Sequence, residues 1–169
     1  KIGKRELSLP SFFPSISSVK TILKPLDYLQ VLETFVGLNN QFLISAFDIA
    51  SDKNIEEMIK ITNSMQEAGC IILMDSGNYE SYWKESQSHW RQHDYQRILS
   101  SFPYDIAFCF DEQKPPSDID EHIKLILSHF NKDQAISKEC VLVPIIHGST
   151  CDLPSLCVAI GKKTQATIL

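Results

Sequence analysis

Five short apolar runs, each ending on polar residues and separated by longer amphipathic stretches, constrain this chain more than any other feature. The runs are Leu9–Ile16, Gln41–Phe47, Cys70–Met74, Tyr104–Phe110 and Cys140–Ile146. Runs of this length without polar alternation read as strands buried on both faces, which parallel sheets require. Pro10 and Pro14 mark the first as an irregular or outer strand. Repeated alternation of strand and helix patterns is the signature of βα units.

The intervening segments carry helical periodicity. Leu26–Val36 reads as a helix, and Ile55, Met58, Ile59, Thr62 and Met65 share a face in the next one. Ser51 or Asp52 is placed to cap that helix, and Gly69 follows its end. Glu80–Gln87 is less regular and precedes a helix carrying Trp90, Ile98 and Leu99. After Pro115 and Pro116, Ser117 and Asp120 form a capping-box pattern for a helix striped by Ile119, Ile123, Ile126, Leu127 and Phe130. A short helix is expected after Pro154, and residues 166–169 read as the opening of a sixth strand.

Five strands with their helices and the start of a sixth fit an α/β architecture of TIM type, an incomplete (β/α)8 barrel occupying residues 1–169 as one domain. A complete barrel takes about 250 residues. An open doubly wound sheet is the competing architecture. No strand is followed by a GxGxxG or GxxxxGK[ST] loop, which counts against a nucleotide-cofactor fold of that kind.

Composition narrows the partners. With 43% hydrophobic and 22% charged residues the chain is globular. Its net charge of −5 gives no bulk attraction for nucleic acid, so such a contact would need a local patch. No apolar stretch approaches the roughly 20 residues of a spanning helix. No secretory leader is visible, and the chain starts at Lys1. The five cysteines lack CxxC spacing, which gives no zinc signature and suits a reducing, cytoplasmic setting.

The ends of the runs carry the candidate chemistry. Asp48 follows the second, Asp75-Ser76-Gly77-Asn78-Tyr79 the third, Asp111-Glu112-Gln113 the fourth and His147-Gly148 the fifth. The carboxyl ends of parallel strands are where ligands bind. Any one of these aspartates is equally readable as a helix cap. Taken together, two or more acids facing one cavity suit acid/base work, recognition of adjacent N–H donors, or a divalent metal. His89, His93, His122 and His129 fall on expected helices and read as surface residues.

The turn DSGNY resembles the DSGGF segment of tRNA-guanine transglycosylases, enzymes that exchange guanine for a 7-deazaguanine. In the same order, LPSFFPSISSVKT is similar to that family's first-strand segment, AFCFDEQ to the one ending in Asp-Glu-Cys, and VPIIHGS to the one ending in Val-Gln-Gly-Gly. The resemblance spans nearly all of this chain but only the N-terminal half of the family's barrel. It implies that Asp75 is the general acid/base, that Ser76 hydrogen-bonds near the base, and that Gly77 admits its approach. Tyr79 would stack on the ring, and Asp111 would accept from the ring N–H and exocyclic amine. Gly148 would leave room for the base, while His147 would bond its carbonyl edge.

Three positions depart from the family: Asn78 stands at a glycine, Gln113 at a cysteine and His147 at a glutamine. They imply a divergent branch with a different base preference, acting on tRNA or on DNA. The family's nucleophilic aspartate and its zinc ligands lie beyond the fifth strand, so zinc is expected with that other half and no cofactor with these residues. The partners implied are a nucleic acid, a guanine or 7-deazaguanine base and a second subunit in a homodimer, with no membrane. These residues alone are not expected to complete covalent glycosyl transfer. Two other readings remain open: a non-catalytic module that holds a base or protein partner, and a barrel hydrolase with a metal at Asp48, Asp75, Asp111 and His147.

Overall fold

The computed structural model describes residues 6–7, 10–35, 37, 40–84, 90–112, 114–137 and 140–165. His89, Gln113 and the expected sixth strand at 166–169 lie outside the described residues. The described chain is an α/β fold with five parallel strands and seven helices. The strands are β1 (Ser15–Ile16), β2 (Gln41–Ser45), β3 (Ile71–Asp75), β4 (Ile106–Phe108) and β5 (Val141–Val143). The helices are α1 (Pro25–Thr34), α2 (Ala46–Ser51), α3 (Ile55–Glu67), α4 (Asn78–Trp83), α5 (Gln92–Ser101), α6 (Ile119–Gln134) and α7 (Leu153–Thr164). Strand order in the sheet follows chain order from β1 to β5 without a reversal. Register is carried through Ile44 opposite Met74, Met74 opposite Ala107, and Ala107 opposite Leu142.

The two faces of the sheet are covered differently. Side chains alternate along a strand, and Phe42, Ile44, Ile72, Met74, Ala107 and Leu142 all turn one way. They join Leu29 of α1, Met58 of α3, Tyr95 and Leu99 of α5 and Phe130 of α6 in the main core. Ile71, Ile106 and Val143 turn the other way, with Leu73, Phe108 and Val141 packed around them. Among the described residues, that second cluster draws on strand residues together with Leu7 and Phe13, and on no helix.

Local chemistry explains most element boundaries. Gly69 ends α3 at φ 95°, with its N–H donating to Gln66 O and that of Cys70 to Met65 O. This crossed pair of bonds needs a left-handed residue, so glycine is favoured there. At the opposite edge of the sheet, Asp105 Oδ2 accepts from Ile72 N at 2.9 Å and Gln66 Nε2 at 3.1 Å, tying β3, β4 and α3 together.

Several expectations are corrected. β2, β4 and β5 are shorter than their apolar runs, whose last residues continue past the ladder; β1 keeps only the end of its run, and β3 matches its run in length, shifted by one residue to end on Asp75. Asp48 does not end a strand: β2 stops at Ser45 and Asp48 lies in the first turn of α2. An acid there complements the helix's positive end, and nothing in QFLISAF marks the switch. Part of the irregular stretch, up to Trp83, is helix α4, and Trp90 precedes α5 instead of riding on it.

Helix α3 is capped by neither Ser51 nor Asp52. Its cap position is Asn54, whose N–H donates to Asp52 Oδ1. The cap of α6 is Asp118, accepting from Glu121 N at 2.8 Å, in place of the Ser117–Asp120 pair. Asp118→Ala should cost about 1 kcal/mol of stability in urea denaturation, the usual value of such a cap. His122 and His129 are buried, not on the surface, because α6 packs the face His122, Ile126, His129, Phe130 and Asp133.

Candidate functional site

All five strands point their carboxyl ends to one edge, so the turns that follow them are forced together. The centre is Asp111, just past β4. Its Oδ1 accepts from Ser76 Oγ at 2.9 Å and Asn78 Nδ2 at 2.8 Å, and its Oδ2 lies 2.8 Å from His147 Nε2. Asn78 Nδ2 also donates to the Asp111 carbonyl. Burial works to raise the Asp111 pKa, but the bonds from His147, Asn78 and Ser76 outweigh it and hold the carboxyl below its ordinary value. The same bond raises the His147 pKa, against a smaller opposing effect of burial. An ionised Asp111 therefore faces the Nε2–H of His147.

Asp75 behaves oppositely. It is the last residue of β3, paired with Ser45 in the ladder, and its Oδ2 accepts from Gly77 N at 3.0 Å. Burial, partly offset by that N–H and reinforced by the charges of Glu80 and Asp111, raises its pKa from 3.8 to about 6. Two carboxyls on adjacent strand ends thus titrate over different pH ranges, Asp111 below its ordinary value and Asp75 near 6, the pattern that separates acid/base roles.

The turn between them is rigid. Gly77 sits at φ 86°, and a Cβ there would meet the Phe47 backbone nitrogen at 2.5 Å. Trp90 Nε1 donates to Ser76 O at 2.9 Å while its ring stands edge-on to Phe47, 5.3 Å between centroids. From behind, Asp133 Oδ2 accepts from Phe110 N at 2.8 Å, and its Oδ1 takes Gln92 and Gln96. Asp111 consequently projects from a backbone anchored through the preceding Phe110 N–H.

The structure brings Asp111, Ser76 and His147 into direct contact and sets Asp75 within electrostatic reach. Asp111 opens onto a cavity of about 510 Å³ with Asn78, Trp90, Glu112 and His129. Tyr79 is exposed on α4, edge-on to Trp83 at 6.2 Å. The space beside Gly148 holds Leu156, whose Cδ1 lies 3.1 Å from where a Cβ would stand. Asp48 lines a different cavity and accepts from Ser18 N at 2.7 Å, from Ser18 Oγ, and from Lys84 Nζ at 3.3 Å.

Sequence reasoning missed three groups. Asn78, read only as a departure, donates to Asp111. Glu80 is buried, accepting from Ser17 Oγ at 2.8 Å and Ser45 Oγ at 3.0 Å. Asp133 is buried behind the β4 end. The polar position inside DSGNY was the one available signal, for Asn78; Glu80 and Asp133 sit at unremarkable helical positions. Among the described residues, no group of three or more His, Cys, Asp or Glu side chains is arranged to hold a metal ion. No described helix is long and apolar enough to cross a membrane. No protein-family model matches the chain, and comparison with curated proteins likewise gives no significant match.

Proposed function

We propose that this chain is the base-recognition half of a transglycosylase-like (β/α)8 barrel, binding guanine or a 7-deazaguanine for exchange in tRNA or DNA. The observation that carries the reading is the pair of carboxyls at neighbouring strand ends, Asp111 held ionised and Asp75 titrating near 6. Support for the barrel is the strand order without reversal, together with α1, α2, α3, α5 and α6 packed on one face. A doubly wound sheet reverses its order and carries helices on both faces.

A guanine edge presents a ring N–H beside an exocyclic amine, and a carboxylate offers two oxygens to two such donors. Oδ1 of Asp111 already takes two donors, so a base approaches Oδ2, the side held by His147. A carboxylate oxygen accommodates about two donors, so the base and His147 either share it or His147 turns to the base carbonyl. The His147 side chain is 43% exposed and has room to turn. Adenine presents an acceptor where guanine has its ring N–H, leaving Asp111 facing a lone pair. Asp75 would protonate the departing base and deprotonate the incoming one, and Tyr79 would cover its face. In the full reaction a carboxylate attacks C1′ of the sugar, the bond to the base breaks, and the second base then displaces that carboxylate.

A second reading, binding without exchange, is favoured by one observation. Asp48 and Glu80 are committed to serine hydroxyls, with Lys84 also on Asp48, so neither is presented as a nucleophile. Calorimetric titration separates the cases. Guanine and 7-deazaguanine should bind, with adenine at least about tenfold weaker, the discrimination lost when a buried polar group is left unpaired. Equal binding of adenine, or none of any base, would overturn the recognition role. Base binding with no uptake of labelled guanine into tRNA or DNA, even when the other half of the barrel is supplied, would favour the module.

A further inference from the structure

The geometry points to a strand-binding platform on α4 and the adjoining β1–α1 turn, where single-stranded nucleic acid flanking the exchanging base stacks and is held by lysines. The inference rests on the reading of the Asp111 site as one that acts on a base within a strand, and it adds where that strand runs.

Tyr79, Tyr82 and Trp83 lie on one side of α4, each about half exposed. Trp83 is edge-on to both tyrosines, with centroids 6.2 Å and 5.6 Å away. Three large rings left in water on a six-residue helix bury little and contribute little to the core. Nucleobases stack on such surfaces whatever their identity, since every base has a flat π face. Tyr79 directly follows the turn that carries Ser76 and Asn78, the donors to Asp111, and is the first ring of the row, so the surface leads outward from that turn.

Charge on this surface contrasts with the rest of the chain. Lys20 Nζ sits 4.9 Å from the Trp83 ring centroid. Its backbone is held at φ 55°, a left-handed conformation unusual for lysine. Lys24, Lys53 and Lys84 line the neighbouring cavity of about 470 Å³, together with Ser18 and Asn54. The acids lining that cavity are Asp48, buried against Ser18 and Lys84, and Asp52. Glu80 lies beneath α4, turned inward to Ser17 and Ser45. Four lysines thus meet two lining aspartates in a chain of net charge −5. A polyanion with flat bases matches both halves of this surface: its phosphates meet the lysines and its bases meet the rings.

The test uses a fluorescein-labelled oligothymidylate of about 12 nucleotides, a length in the range single modules cover. Fluorescence anisotropy should show binding at low salt that weakens as salt rises. Trp83→Ala should weaken it about tenfold, and Trp83→Phe, which keeps a ring, much less. Lys20→Gln and Lys53→Gln, both surface changes, should each lower affinity and reduce the salt slope by about 0.7. None of these variants should alter calorimetric binding of free guanine. Absence of oligothymidylate binding, or full affinity in Trp83→Ala and both lysine variants, would overturn the platform while leaving guanine recognition intact. A wild-type dimer that becomes monomeric on Trp83→Ala, with oligothymidylate binding unchanged, would overturn it in favour of a self-association face. Loss of guanine binding in Asp111→Asn alongside the expected platform results would support the platform and the base site as separate elements.

Discussion

Asp111→Asn is expected to weaken guanine binding by roughly 150-fold, about 3 kcal/mol. The substitution removes the charge and turns one acceptor oxygen into a donor amide. At the Oδ2 position a guanine edge then meets either a neutral oxygen or an opposing N–H. A hydrogen bond to a charged group contributes about 1.5–3 kcal/mol and a donor left unpaired costs about 1–3 kcal/mol, which accounts for the magnitude. The same change strips His147 of its anionic partner. Because the bond to Asp111 is the largest cause of its raised pKa, the His147 ring should titrate back toward 6.5, or below it given its burial. Calorimetry measures the first effect and NMR titration of the imidazole the second. A normal guanine affinity with a shifted His147 would show that Asp111 organises the turn without recognising the base.

The second large effect concerns stability and runs against the usual cost of mutation. Asp75→Asn should make the folded protein more stable at neutral pH, by between about 1 and 3 kcal/mol. The folded-state pKa of Asp75 is about 6, above its ordinary 3.8, so between those values the folded state binds more protons than the unfolded one. Stability contributed by this group therefore falls as pH rises from about 4 to about 6, and the full penalty is present above that window. Asparagine never ionises and keeps an oxygen for the Gly77 N–H, so it escapes the penalty. Urea denaturation of wild type and variant should coincide near pH 4 and separate by pH 7.5. Asp111 acts in the opposite sense: its pKa is lowered, so its contribution is lost as pH falls through that depressed value. Comparing two proteins at each pH cancels that shared contribution. A variant no more stable than wild type at pH 7.5 would place Asp75 in a solvated or paired setting. An acid that destabilises its own fold at working pH is a familiar cost of function.

The alternation of apolar runs was enough to establish parallel α/β units, because buried strands and amphipathic helices have different periods. The same logic located Asp75, Asp111 and His147, since polar residues that close a buried run have few other places to go. It failed at Asp48, where an apolar helix follows a strand without any change in composition between Ile44 and Ile49. It failed again on α6, where apolar residues alone were assumed to face inward. Asp133 is tolerated inside because Gln92, Gln96 and the Phe110 N–H donate to it, and His129 because its Nδ1 meets Gln92 and its Nε2 lies 3.3 Å from Glu112; all these partners are distant in sequence. Buried polar groups are legible only once their donors are known. Glu80 is hidden for that reason too, its serines lying on β2 and after β1.

The ladder is uneven, and the unevenness divides labour within the pocket. Asp75 is itself a rung of the β2–β3 pairing, which runs from Gln41 opposite Ile71 to Ser45 opposite Asp75. His147 hangs beyond the short β5, after Pro144, Ile145 and Ile146. Proton transfer tolerates little positional error, and Asp75 stands where backbone geometry is most tightly specified. A partner that only reads the rim of a ligand can follow it, and His147 stands on freer chain. On the proposed reading, replacements on the β5 side would retune which base is accepted while the proton-handling geometry is inherited unchanged.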